Sequence, residues 1–594
     1  MTTSIAKAFI FLAIGLAPAG AFAAARQDAA VSSLPDTRAQ ADRLYQEGIA
    51  SLGRGDLATA IARFERVLKL LPNSPDAHNS LGFALVAQGK PDAAIPHFQA
   101  ALRLRADFVQ ARLNLANAYL QKGEAASAVR SAQAAVRLAP KDAEPQHILG
   151  RAYDVSGDSG NAIAALRRAV ELDPLRADIR DDLGSVLVRQ SQFDDASREF
   201  VEALRLAPEY APAHLHLGVL HFEQRDFDRA AAELQRASQL SPKNFLAFTY
   251  LGLAQRERGD SEAAIAALQS SVRLNSDQPD AQNQLGLLLQ RAGRPEEAAA
   301  AFREVIRLQP FNPEPQNNLG LALLQTGDGD GSVAAFRSAL RLAPDNPSYQ
   351  GNLGVAFLQK ADFSDAVSEF RSALQRDPGN PTFHYNLGLA LKLQDKLPEA
   401  VAELREAESL DPSQPDIPYT LGVTYWQQGD SDLSVQELRT ATRLRPDYAE
   451  AFYTLGTVLK QQGKFEDAAA SLREAIRLQP QFAGAHTTLA GVLRQLGDAP
   501  GAAAESRAGA ELTKQKINEQ AALFATNSGR RLRAAGDLEG AVAQFRSAIA
   551  SSPGYGRAHY ELAITLRQLG KTGEATEEFE RARQLDPKLG IPSS

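Results

Sequence analysis

A glycine returns along this chain in steps of 34 residues: Gly48 and Gly82, then Gly150, Gly184, Gly218 and Gly252 in unbroken step to Gly456. Ala116 fills the one vacancy and Ala490 extends the series. Twelve residues after each stands another small residue, such as Ala60, Ala94 or Ala162, with Ser332 and Ser434 as substitutes. Four further on comes a bulky one, for example Phe64, Phe98, Leu166 or Phe302, and a proline such as Pro72 or Pro140 ends the unit. A fixed period of this length marks a stack of supersecondary units. No unit can bury its apolar face alone, so neighbours must pack on one another. The abundance of alanine and leucine, with only 7% aromatic residues, favours helix over strand for those units.

The recurring Leu-Gly, Ala, Phe, Ala and Pro positions resemble the tetratricopeptide repeat, a helix–turn–helix unit. The resemblance implies an all-α fold, a right-handed superhelical solenoid of such pairs. Fourteen contiguous repeats fit 41–516, an insertion occupies 517–521, and two more repeats fit 522–589, before a tail at 590–594. Positions below are counted within each repeat, from 41 in steps of 34 and again from 522. Glycine at position 8 and alanine at position 20 let the two helices approach closely, while residues such as Leu81 and Phe98 fill the space around the crossing. Glycine at position 15, as in Gly89, suits a left-handed residue closing the first helix, and twelve of the sixteen repeats have it. Gly329 is expected in a solvated turn. Repeat 14 departs from the pattern: Lys514 replaces the proline, and Ser506 and Gly509 replace core residues. Its second helix is therefore expected to run at least one turn beyond its equivalents, leaving repeats 15 and 16 as a terminal module. The last helix, from about Gly573 to Leu585, is polar enough to cap the stack.

Residues 1–23 read as an export signal: Lys7, an uncharged apolar run from Ala8 to Ala17, then Pro18 and the small residues Ala21 and Ala23. Residues 24–40 read as a linker. Cleavage near Ala24 would leave a periplasmic or secreted protein without a membrane span. An uncleaved anchor is the competing reading, since Ala8 to Ala25 is uncharged, though short for a bilayer.

Much chemistry is excluded. The absence of cysteine removes disulfides, thiol catalysis and thiolate metal sites. A net charge of −7 argues against nucleic acid as a partner. His78, His214, His384, His486 and His559 all occupy position 4 and read as packing residues. His214, His216 and His221 share a helix, but their spacing does not converge on one ion. The run Gly327 to Ser332 lacks the lysine of a phosphate loop and the glycine and glutamate of a calcium loop. It reads as the turn between the helices of repeat 9. Nothing in the chain points to a catalytic residue, a cofactor or a metal.

Binding is the remaining reading. In the tetratricopeptide family the first helices line a concave groove through positions 2, 5, 6, 9, 12 and 13. Asn318, Asn352 and Asn386 share position 6 in repeats 9 to 11, and resemble the asparagine ladders that hold an extended peptide in long relatives. Tyr385, Tyr419 and Tyr453 share position 5, and Lys392, Trp426 and Lys460 share position 12, in repeats 11 to 13. Tyrosine and tryptophan bury much area at low entropic cost. Position 5 carries no lysine, so the carboxylate clamp of chaperone-binding relatives is not expected. The resemblance thus implies a non-catalytic scaffold that takes a protein or an extended peptide in its groove. The alternative is an accessory protein, or a relative lacking the catalytic domain, of the O-linked protein glycosyltransferases that carry such repeats.

Overall fold

The computed structural model of the chain describes residues 34–589. The export signal expected over 1–23 and the tail 590–594 lie outside the described residues. So does most of the stretch read as linker, but its end is helical: the first helix, α1, spans Leu34–Gly53. No glycine, and no proline after Pro35, interrupts that stretch before position 41. Among the described residues there are thirty-one helices and no strand, the last being α31 (Thr572–Leu585). The helices fall into two compact units, the first ending at Phe311 and the second beginning at Asn312.

Within each unit the two helices of a repeat pack against each other, and each second helix packs against the first helix of the next repeat. First helices of neighbouring repeats also approach one another, as second helices do not to a comparable extent. The first-helix side of each unit is therefore its inner face. Position 8 glycines stand where an added Cβ would collide. At Gly286 it would lie 2.6 Å from Cε1 of Phe302, which is itself fully buried.

Position 15 is left-handed in all sixteen repeats. Twelve have glycine there with φ between 71° and 92°, and the other four hold Ser191, Arg225, Ala361 and Asp395 at φ near 60°. The geometry is thus imposed by the repeat even where the residue disfavours it. An aspartate commonly follows as N-cap: Asp56 accepts from the Thr59 N–H and Asp537 from that of Gly540. Gly327 (φ +81°) and Asp328 make the same turn, but Gly329 does not belong to it. Gly329 is the first residue of the next helix, where a Cβ would meet the flexible Lys360 side chain.

Sixteen helix pairs would make thirty-two helices. One is missing because α28 runs unbroken from Ala499 to Ala534. It contains the second helix of repeat 14, the insertion and the first helix of repeat 15. The extension exceeds the expected turn, since no proline or left-handed glycine interrupts the backbone between Pro500 and Gly536. The closing α31 buries Ala575, Phe579 and Ala582 and exposes most of its charged residues, as a cap requires.

Candidate functional site

The inner face of the second unit carries the amide and aromatic residues singled out above. Asn318 is buried; Asn352 and Asn386 are half-buried. Asn352 donates from Nδ2 to Oδ1 of Asn317, at 2.8 Å, and so couples position 6 of repeat 10 to position 5 of repeat 9. The same coupling, 35 residues apart, joins Asn114 to Asn79, Tyr45 to Ser80, and Tyr385 to Thr420. Part of the ladder's bonding capacity thus ties adjacent repeats together. An amide holds two donors and an acceptor, so the bond to Asn317 leaves Asn352 with one N–H and its carbonyl oxygen.

Tyr385, Tyr419 and Tyr453 are half-buried. Tyr419 packs against Tyr448 with ring centroids 5.0 Å apart, and Tyr453 against Phe482 at 4.6 Å. The aromatic partners come from position 34, just before the next first helix, and fix the ring planes. Trp426 is half-buried and donates from Nε1 to Oε1 of Gln461 at 2.7 Å, joining position 12 to position 13 of the next repeat. Lys460 is exposed. Lys392 is half-buried, and burial alone pulls its ammonium below the ordinary lysine range. The three residues at position 12 thus present a desolvated cation, an anchored indole and a solvated cation in succession.

The first unit's inner face has a different character, which reading individual motifs missed. In repeats 4 to 6 the inner positions carry Glu144, His147, Arg151, Asp154, Asp178, Asp181, Asp182, Arg189 and His216. His147 is 3% exposed and donates from Nε2 to Asp182 at 2.7 Å, with Glu144 at 3.9 Å from Nδ1. Burial opposes charge on this ring, but the two carboxylates outweigh it and hold its pKa up at about 9. His216 contacts Oδ1 of the buried Asp181 at 2.8 Å, Arg189 pairs with Asp154, and Arg176 bridges Glu144 and Asp178. Burial raises the Asp181 carboxyl and the Tyr210 phenol. The network compensates its own charges, so it reads as an internal brace between repeats. Projecting all repeats onto the inner positions would have shown this concentration.

The position 4 histidines form brackets. Nε2 of His214, His384, His486 and His559 donates to the proline carbonyl six residues back, at 3.0–3.1 Å. Nδ1 meets a glutamate nineteen residues ahead, as in His384 to Glu403 at 2.7 Å. Arg180 makes both contacts in repeat 5, to Pro174 and Glu199. His78 keeps the carbonyl but meets His97 in place of a glutamate. His216 points to Asp181 while His214 points to Glu233, so the two diverge as their spacing requires. Among the described residues no group of histidine and carboxylate side chains is arranged to hold a metal ion.

Models of the tetratricopeptide repeat match residues 81–143, 352–415, 453–512 and 526–589. Two further repeat models match 52–89 with 427–463, and 143–174. A model described as the Cilia and flagella-associated protein 70 C-terminal domain matches 178–381. No curated protein sequence matches the chain. Among solved structures, the chain is similar to the APC/C hetero-tetramer Cut9–Hcn1 at 15% identity and a TM-score of 0.35, over 76% of this chain and 96% of that one. It is also similar to MamA at 22% identity and a TM-score of 0.27, over 28% of this chain and 96% of that one. The MamA 41-end structure from Desulfovibrio magneticus RS-1 stands at 23% identity, a TM-score of 0.27, and 29% and 96% coverage.

Proposed function

The chain belongs to the tetratricopeptide-repeat family, and from that premise we propose a non-catalytic scaffold that takes an extended peptide on the inner face of repeats 9 to 13. The observation carrying this reading is Lys392. A half-buried ammonium is costly unless something compensates it, and among the described residues no ion pair does so. It sits on the inner face, one repeat before Trp426 and two before Lys460. A peptide carboxylate would satisfy it, while Asn352 and Asn386 contact the main chain and Tyr385, Tyr419, Tyr453 and Trp426 flank its side chains. Asn318, already buried, accepts from Nδ2 of Asn317 at 3.5 Å. Export with loss of residues 1–23 completes the proposal, and N-terminal sequencing of exported material is expected to begin near Ala24.

Trp426 is the chain's one tryptophan and supplies a built-in reporter. Titration with a library of extended peptides, each made with a free and an amidated C-terminus, is expected to shift its emission for a subset with free carboxylates. Lys392→Ala should weaken those peptides by about tenfold, the worth of a charge-assisted hydrogen bond. An emission indifferent to every peptide, or affinity indifferent to Lys392→Ala, overturns the assignment of the face.

A further inference from the structure

Within each unit, the second helix of a repeat is covered by the first helix of the next, and fixed positions meet there. Position 27 of one repeat packs with position 3 of the next: Val67 with Ala77, Ala237 with Ala247, and Ala407 with Ile417, all buried. In α28 this cannot happen, because both helices are segments of one continuous helix. Position 27 of repeat 14 is Gly509, and position 3 of repeat 15 is Phe524, which is 78% exposed. Position 24, buried in every other repeat, is here the exposed Ser506. A hollow of about 420 Å³ opens beside these small residues, between Thr487 and Ile517. The rod thus bears an empty seat and, roughly 22 Å along it, a ring of the column that fills such seats elsewhere.

We infer that two copies of this chain pair antiparallel along α28, each placing Phe524 in the hollow at Gly509 of the other. The first helix of repeat 15 then covers the second helix of repeat 14 in the opposite copy, in the antiparallel sense found between successive helices everywhere else in the fold. Pairing 509 with 524 puts the two-fold axis between Lys516 and Ile517. That register comes from the repeat columns alone, and Ser506 and Thr513, which line the hollow, lie within about 20° of Phe524 around the helix, so hollow and ring share one face. Ile517, 59% exposed, lies within about 20° of Phe524 around the helix and would meet its counterpart at the axis. A foreign helix has no reason to carry an aromatic residue at this distance from a hollow of its own, whereas a second copy turned end for end has both on one face. This inference does not depend on the peptide face.

Sedimentation of the full chain at micromolar concentration is expected to show a dimer. Phe524→Glu, at an exposed position, should weaken it by at least about tenfold without loss of helix. The chain has no cysteine, so Ile517→Cys is expected to give one disulfide-linked dimer on mild oxidation. A chain that sediments as a monomer throughout overturns the inference. So does a dimer indifferent to Phe524→Glu, or a monomeric chain that binds an unrelated helix along α28.

Discussion

Ala361 sits at φ 59° with no side chain able to compensate, and a non-glycine residue there costs about 1–2 kcal/mol. Ala361→Gly removes that strain but gives back part of it through the freer unfolded chain. The expected net gain is about 0.5–1 kcal/mol, seen as a raised denaturant midpoint; a lowered one would contradict the shared turn geometry. His147 makes a different demand. Its folded pKa, about 9, stands above the ordinary 6.5, so the ring binds its proton more tightly folded than unfolded. Its contribution, on the order of 3 kcal/mol, is complete below about pH 6.5 and lost as pH rises through 9. His147→Gln should therefore destabilise the chain at pH 6 and flatten the pH dependence of urea unfolding between 6.5 and 9; an unchanged slope would refute it. The position 8 and position 15 glycines were legible in the sequence because one residue type recurs at one period. The inner-face couplings were not: each joins residues 35 apart, one step off the period, and the types change from Asn79 with Asn114 to His147 with Asp182.

Helices are held in register by the position 4 bracket, which ties a first helix both to its own second helix and to the preceding turn. His384→Ala would leave the Pro378 carbonyl and the Glu403 carboxylate without their donor. The expected cost is about 1–2 kcal/mol, moderated because Glu403 keeps some access to water. His384→Arg should retain most of the stability, since Arg180 already makes both contacts in repeat 5. Equal melting of the Ala and Arg variants would show that the bracket contributes nothing. Most helix limits were readable from caps, prolines and glycines, because those residues act locally. The full length of α28 was not. Lys514 in place of proline announced a longer second helix, but the insertion changes the chain direction of everything after it. The missing proline and left-handed glycine permit that run-on, but an insertion of five residues does not by itself say whether the first helix of repeat 15 folds back.

Across the whole chain, net charge conceals local organisation: a value of −7 averages over the dense ion network of repeats 4 to 6 and the largely uncharged face of repeats 9 to 13. Stability is distributed in the same local manner, because each repeat contacts only its neighbours. Gly286 and Gly329 test this at the scale of the molecule. Gly286→Trp would force an indole into the crossing where even a Cβ lies 2.6 Å from Phe302, and overpacking of this kind costs about 1–3 kcal/mol or more. Gly329→Ala adds one methyl group at a helix start, against a lysine chain that can move aside. Hydrogen exchange should distinguish the two variants by place as well as by size. Gly286→Trp should lose protection in repeats 7 and 8 while repeats 11 to 13 of the second unit keep theirs, and Gly329→Ala should leave both regions near the parent. If Gly286→Trp instead opened all sixteen repeats together, the chain would fold as one cooperative body, and the nearest-neighbour account of its stability would fail.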